Sequence, residues 1–214
     1  EEIADDMHAH GGWITLSDLK RVSEPRLRKP LHLQFRDRDI YTLPPPYGGW
    51  VVLQALALLP SDAATPSSYL HECIEALSMA HGSRKHKPAF GENQAETQAR
   101  FEKAYLRELK VPNRQGGETT HLSVADADGM VVGISQSVNF YFGCKVMHPT
   151  LGFFYNDYMR EFVRSDSLHP FALRPGAIPY SSMSATIVAS HGKPELVLGS
   201  PGSARIISAV VQVL

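Results

Sequence analysis

The chain has 214 residues, with 21 Lys and Arg against 22 Asp and Glu and a formal charge of −1. With that balance and no basic stripe, the phosphate attraction of nucleic-acid binders has no source, so no nucleic acid is expected as a partner. No stretch approaches the roughly 18 uninterrupted apolar residues of a membrane span, and Cys73 and Cys144 are too few for a disulfide framework and lie in no zinc-holding spacing.

In chain order, Glu1 to His10 reads as the later part of a helix stopped by Gly11-Gly12, with no capping residue ahead of it. The acidic start is the wrong opening for a signal peptide. Ser17 precedes a short helical turn, and the alternation from His32 to Leu43 around Arg36-Asp37-Arg38-Asp39 predicts two short strands joined by a turn. Pro44-Pro45-Pro46 breaks that pattern. After Gly48-Gly49, Trp50 to Leu59 is apolar nearly all round, the mark of a buried helix, and Pro60 ends it. Leu70, Ile74 and Leu77 stand at i, i+4 and i+7 and predict an amphipathic helix; Glu92 to Lys110 predicts a second, mostly solvated one.

From Val111 to Glu118 the chain is polar and carries Gly116-Gly117, as an exposed link does. β-patterning then takes over: Thr119 to Ala125, the turn Asp126-Ala127-Asp128-Gly129, and Met130 to Asn139 form a predicted hairpin. With Gly129 left-handed in a three-residue loop, opposed residues are symmetric about Asp128, which sets Thr119 across from Ser137. Ser165 to Pro179 is a Pro- and His-containing loop. Ile206, Ile207, Val210, Val211 and Leu214 recur at helical spacing and run to the last residue without a stop signal. Both ends therefore lead us to expect a piece of a longer protein. Helices before and after a central run of strands predict a layered α+β fold.

Taken alone, Gly117-Glu118-Thr119-Thr120-His121 is a loop entering a β-branched strand. In context, Thr119-Thr120-His121-Leu122-Ser123-Val124 with Asp126 and Gly129, followed by Ser137, Asn139, Phe142 and Gly143, resembles the start of the γ-glutamyltransferase small subunit. Further landmarks follow in the same order as in that family: Pro44-Pro45-Pro46 with Gly48-Gly49, the Leu70/His71/Glu75/Ala76 helix, Ser181-Ser182-Met183-Ser184, and Gly199-Ser200-Pro201-Gly202 with Arg205-Ile206-Ile207. The resemblance spans nearly the whole chain. It implies an incomplete four-layer αββα N-terminal-nucleophile hydrolase fold, and a precursor that cuts itself between Glu118 and Thr119. Residues 1–118 are then the C-terminal part of a large subunit, and residues 119–214 belong to the small catalytic subunit that stays associated with it. It implies no metal or organic cofactor, a glutathione-like γ-glutamyl amide as small-molecule substrate, and a periplasmic or extracellular location.

The chemistry stands on physical grounds as well. A threonine hydroxyl is a weak nucleophile at neutral pH and needs an adjacent base. A freed α-amino group titrates near ~7.7–8.0, so cleavage before Thr119 supplies that base on the same residue. Backbone N–H groups of Gly202 and Ser203, in a Gly-Ser-Pro-Gly loop ahead of the last helix, are candidates for an oxyanion hole. As an isolated loop it reads as a plain helix-entry turn. Ser203 replaces the second glycine usual in the family, and it would be strained if the site requires φ > 0.

By the same resemblance, Ser181 and Ser182 match the hydroxyls that grip the substrate carboxylate. Asn139 completes the amino-group site, and Tyr158 and Glu161 occupy the positions of its acidic or amide partners. Tyr158 removes an acceptor there, and Arg160 adds a cation. The family's carboxylate-binding arginine would lie ahead of Glu1, so weak binding of glutamyl substrates by this chain alone is expected. His8/His10 and His81/His86 lack a third ligand at recognisable spacing, and His121 is read as structural. Two alternatives stay open: a related amidase or acylase with a different acyl group, and an inactive, uncleaved relative.

Overall fold

The computed structural model describes residues 1–22, 25–60, 65–84 and 118–214. The helix expected over Glu92–Lys110, most of the link ahead of Thr119, and His86 lie outside the described residues.

Two short helices open the chain, α1 (Glu2–Ala9) and α2 (Leu16–Arg21). Gly11, at φ +71°, follows α1 as its stop signal predicts. α2 begins one residue before Ser17, because its cap is Thr15: the Thr15 hydroxyl accepts from the Asp18 N–H at 3.2 Å while the Asp18 carboxylate accepts from the Thr15 N–H at 3.0 Å.

Strands β1 (Leu31–Phe35) and β2 (Arg38–Thr42) pair antiparallel, with Leu33 opposite Ile40. β5 (Thr186–Ser190) and β6 (Lys193–Leu198) extend them into a four-stranded sheet of order β1-β2-β5-β6. Period-two alternation aims Leu31, Leu33, Phe35, Ile40 and Val188 at one face, where they join the core. Covering that face are α3 (Gly49–Leu58), α4 (Pro66–Ser83) and α5 (Arg205–Val213). Residues Gly49 to Leu56 of α3 are all buried, as an all-round apolar helix requires. In α5, Ile206, Ile207, Val210 and Val211 are buried, in keeping with their spacing.

The structure corrects the inward face of α4. Leu70 and Ile74 are 61% and 56% exposed, and the buried stripe is instead Cys73, Ala76 and Ala80, flanked by Tyr69 and Leu77. Small side chains on this stripe let α4 lie close against α3, which is already filled by Trp50 and its neighbours. Periodicity alone ranks Leu and Ile above Ala and Cys and so selects the wrong stripe.

A second, two-stranded sheet is formed by β3 (Glu118–Ala125) and β4 (Val131–Asn139). Ala125 pairs with Val131 and Thr119 with Ser137, symmetric about Asp128, and Gly129 has φ +88°. The Asp126 carboxylate holds the turn by accepting from the N–H groups of Asp128 (3.0 Å) and Met130 (2.9 Å).

The hairpin lies on the far face of the four-stranded sheet. A Cβ on Gly133 would stand 3.2 Å from Val197 Cγ1, and Ser123 Oγ donates to the Val197 carbonyl at 3.0 Å. The order is therefore helices, sheet, hairpin, an α+β stack. The hairpin's other face carries Leu122, Val124, Val132 and Ile134, which are 42–54% exposed among the described residues.

Candidate active site

β3 starts at Glu118, one residue earlier than its pattern predicts, so Thr119 is the second residue of the strand. The register shifts between Glu118 and Thr119, where Glu118 pairs with Asn139 and Thr119 with Ser137. A bulge of this kind re-aims a side chain at the end of a ladder. Thr119 Oγ1 donates to Ser137 Oγ at 3.3 Å, and the Asn139 N–H donates to the same Ser137 oxygen at 2.9 Å. Ser137 is thus fixed as an acceptor facing the threonine hydroxyl. Asn139, at φ +74°, ends β4 in the left-handed region that asparagine tolerates better than most residues.

Thr119, Ser137 and Asn139 open into a cleft of about 1020 Å³ that Tyr158, Glu161 and Ser203 also line. Ser181 and Ser182 lie on its wall as well. Eight residues singled out in the sequence are therefore gathered from five separate segments. Gly202 is not among the residues lining the cleft, although its neighbour Ser203 is.

Gly202 has φ +114° and Ser203 φ +55°, so the serine does occupy the left-handed region. The Gly202 and Ser203 carbonyls accept from the N–H groups of Arg205 (3.1 Å) and Ile206 (3.2 Å), which starts α5 directly behind them. The positive end of that helix faces the cleft, where Ala204, Arg205 and Ile206 contribute to the lining.

The segment from Asn156 to Glu161 folds as an Asx turn into a 3₁₀ helix (Tyr158–Glu161), with Asn156 Oδ1 accepting from the Tyr158 N–H at 3.0 Å. Asp157 ties it to the end of β4 by accepting from the Phe140 N–H at 3.1 Å. Asn139 Nδ2 donates to Glu161 Oε1 at 3.3 Å, and the Tyr158 and Ser181 hydroxyls share a hydrogen bond at 3.3 Å. The Arg160 guanidinium lies 4.1 Å from the centre of the Phe140 ring and pairs with Asp157 at 3.3 Å.

The paired serines are held by the Pro-Pro-Pro and Gly-Gly motif. The Ser181 N–H donates to the Pro46 carbonyl at 3.2 Å and the Gly48 N–H to the Met183 carbonyl at 2.9 Å. A Cβ on Gly48 would come within 2.8 Å of the Ser182 carbonyl, so this approach requires glycine.

His121 is two residues from Thr119 on the same face. Its Nδ1 is 2.8 Å from Ser135 Oγ and its Nε2 3.0 Å from Ser123 Oγ, so both ring nitrogens are engaged within the hairpin. Burial lowers its pKa.

Sequence reading did not single out Arg84 or Tyr180 and weighed His81 only as a metal ligand, yet all three line the cleft. Arg84 Nη2 donates to Ser182 Oγ at 2.8 Å, and its guanidinium lies 5.0 Å from the centre of the buried Tyr180 ring. His81 Nε2 is 3.2 Å from Ser208 Oγ on α5; burial and the neighbouring Arg84 charge push its pKa down to about 4. Arg84 opens the basic run Arg84-Lys85-His86-Lys87, and no one-dimensional signal distinguishes it from a solvated cation.

The gamma-glutamyltranspeptidase family profile matches residues 1–214. The chain is 32% identical over 247 aligned residues to a glutathione hydrolase proenzyme of Pseudomonas sp. (strain A14), covering 98% of this chain and 43% of that protein. It is 30% identical over 238 residues to an acylase ACY 1 proenzyme of Pseudomonas sp. (strain V22), covering 99% of this chain and 41% of that protein. The chain thus spans about two fifths of the length of the curated relatives it matches. A crystal structure of cephalosporin acylase from Bacillus halodurans superposes with a TM-score of 0.81 at 24% identity, over 99% of this chain and 41% of that one, which is a likeness of fold.

Proposed function

Because the chain belongs to the gamma-glutamyltranspeptidase family, we propose that it carries the catalytic part of an N-terminal-threonine amidase that moves a γ-glutamyl group from glutathione or a related amide to water or an amino acid. The observation that carries this reading is the Thr119 hydroxyl, held by Ser137 at 3.3 Å in the cleft, beside a bulge at the Glu118–Thr119 bond.

Thr119 Oγ attacks the Glu118 carbonyl carbon, the peptide nitrogen of Thr119 leaves with the proton, and an ester joins the two residues. Water cleaves that ester and frees the Glu118 carboxyl and the Thr119 amine. Residues 1–118 thereby become the end of a large subunit and residues 119–214 part of a small one. In turnover the new amine takes the Oγ proton, Oγ attacks the substrate carbonyl, and the departing amine receives the proton. Ser137 orients the hydroxyl. The Ser203 N–H, which lines the cleft with the α5 dipole behind it, meets the oxygen on which negative charge grows, and the adjoining Gly202 N–H, set back from the lining, is its candidate partner. Ser181 and Ser182 hold the acyl carboxylate, while Asn139, Tyr158 and Glu161 face the amino group.

Thr119→Ala leaves one uncut chain in the complete protein, as read by intact mass. Continued division of that variant between Glu118 and Thr119 overturns the assignment. A second reading, an amidase of the same mechanism with a different acyl group, is favoured by the Tyr158–Ser181 bond at 3.3 Å, which puts a phenol where the family has an acid or amide.

A further inference from the structure

We propose that α1 is a positioning element of the cleft: Asp6, through Tyr155, holds the turn that carries Tyr158 and Glu161, so a helix ahead of the scissile bond sets how tightly the acyl group is bound. This rests on the amidase reading above and adds two positioning residues to it, on opposite sides of the Glu118–Thr119 bond.

α1 carries no buried residue, and a helix of this length is marginal without outside contacts. Its anchors are polar. Glu2 and Asp6 stand four residues apart and so share a face of the helix. Glu2 Oε2 accepts from the Thr150 hydroxyl and Asp6 Oδ2 from the Tyr155 hydroxyl, both at 2.8 Å. The Asp6 side chain is 12% exposed, and its other oxygen lies 3.3 Å from His10 Nδ1. Desolvation and the Asp6 carboxylate push the Tyr155 pKa up to about 12, so the phenol remains a donor at neutral pH.

Tyr155 is the joint between that helix and the cleft. Its ring meets the Phe153 ring edge-on at 5.1 Å, and Phe153 stacks on the buried His148. The Tyr155 N–H donates to the Val146 carbonyl and its own carbonyl accepts from the Cys144 N–H, both at 3.0 Å. A Cβ on Gly143 would stand 2.0 Å from that carbonyl oxygen, so the two backbones are packed without slack. The next residue, Asn156, opens the turn into Tyr158–Glu161. Asp157 fixes the middle of that turn on the Phe140 N–H, and Tyr155 fixes its entry. The Tyr158 and Glu161 side chains then meet Ser181 and Asn139 at 3.3 Å, near the long end of hydrogen-bond range, where a small displacement breaks the contact.

Hydrolysis of γ-L-glutamyl p-nitroanilide by the complete, self-cleaved protein tests this. Asp6→Asn and Tyr155→Phe each raise KM by roughly tenfold, the worth of one hydrogen bond to a charged group, while kcat stays within about twofold because neither residue touches the reacting atoms. The double variant is no worse than either single one, since both remove the same bond, and Asp6→Glu recovers part of the loss. Unchanged KM in both single variants, or losses that multiply in the double variant, overturns the proposal; so does a fall in kcat alone, the mark of a smaller folded fraction. Hydrogen–deuterium exchange on the uncleaved Thr119→Ala protein reads the same coupling without turnover. Asp6→Asn speeds exchange in peptides spanning residues 143–161 and leaves β5 and β6 unchanged. Absence of γ-glutamyl turnover in the unsubstituted protein counts against the amidase reading, and the exchange result then decides this proposal: no change over residues 143–161, or an equal change in both regions, overturns it.

Discussion

Ser203 shows how a single residue balances two costs at this site. At φ +55° its Cβ crowds the following carbonyl, a strain of about 1–2 kcal/mol for a left-handed non-glycine residue. Glycine removes that strain but loses about 0.5–1 kcal/mol through the larger entropy of its unfolded chain. The strain is the larger effect, so Ser203→Gly is expected to stabilise the protein by up to about 1 kcal/mol, seen as a higher denaturant midpoint with unchanged slope. A lower midpoint would show that the serine hydroxyl holds something the strain argument omits. The substitution was visible in the sequence. That the position is left-handed, and that Ser203 lines the cleft with Thr119, is a property of the folded loop.

Among the elements, the β3–β4 hairpin depends on its seat against the four-stranded sheet. His121 bridges Ser135 and Ser123, and Ser123 reaches the Val197 carbonyl, so a run of side-chain hydrogen bonds joins the two sheets one turn of the pleat from Thr119. Gly199, just after β6, leaves room for this ring: a Cβ there would stand 2.3 Å from His121 Nδ1. Gly199→Ala must displace the ring or the loop, at a cost of about 1–3 kcal/mol for overpacking. We expect a lower denaturation midpoint and slower appearance of cleaved chains on a gel, because the shift reaches the strand that carries Thr119. Normal cleavage in a destabilised Gly199→Ala protein would mean that the hairpin end is positioned independently of its seat. The hairpin itself was legible in the sequence down to the Thr119–Ser137 pairing, since turn length and Gly129 fix its register. The face of α4 was not, because small residues set helix contact there and the large apolar ones turn outward.

For the molecule as a whole, His81 couples the helical layer to acid pH. It sits where α4 meets α5, and burial holds its folded pKa at about 4, below the usual histidine value of 6.5. The unfolded chain therefore takes up a proton in the range where the folded chain stays neutral. Its contribution is fully present above pH 6.5 and is lost as pH falls toward about 4. The slope is at most about 1.4 kcal/mol per pH unit, reduced by the group's partial exposure. His81→Gln should flatten the stability profile between those two pH values in denaturation measured across pH. An unchanged profile assigns the acid sensitivity to other groups.

Local chemistry in the sequence was enough to determine the hairpin with its Thr119–Ser137 pairing, the buried helix α3 and the stripe of α5. Turn geometry, periodicity and motif order act over a few neighbours at a time. What the tertiary structure alone decided is which distant groups share the cleft: Arg84 with Ser182 across 98 residues, His81 with Ser208 across 127, and Ser181 with Tyr158 across 23. Such pairings are set by how layers stack and how closely glycines let backbones approach, and neither leaves a local pattern in the chain.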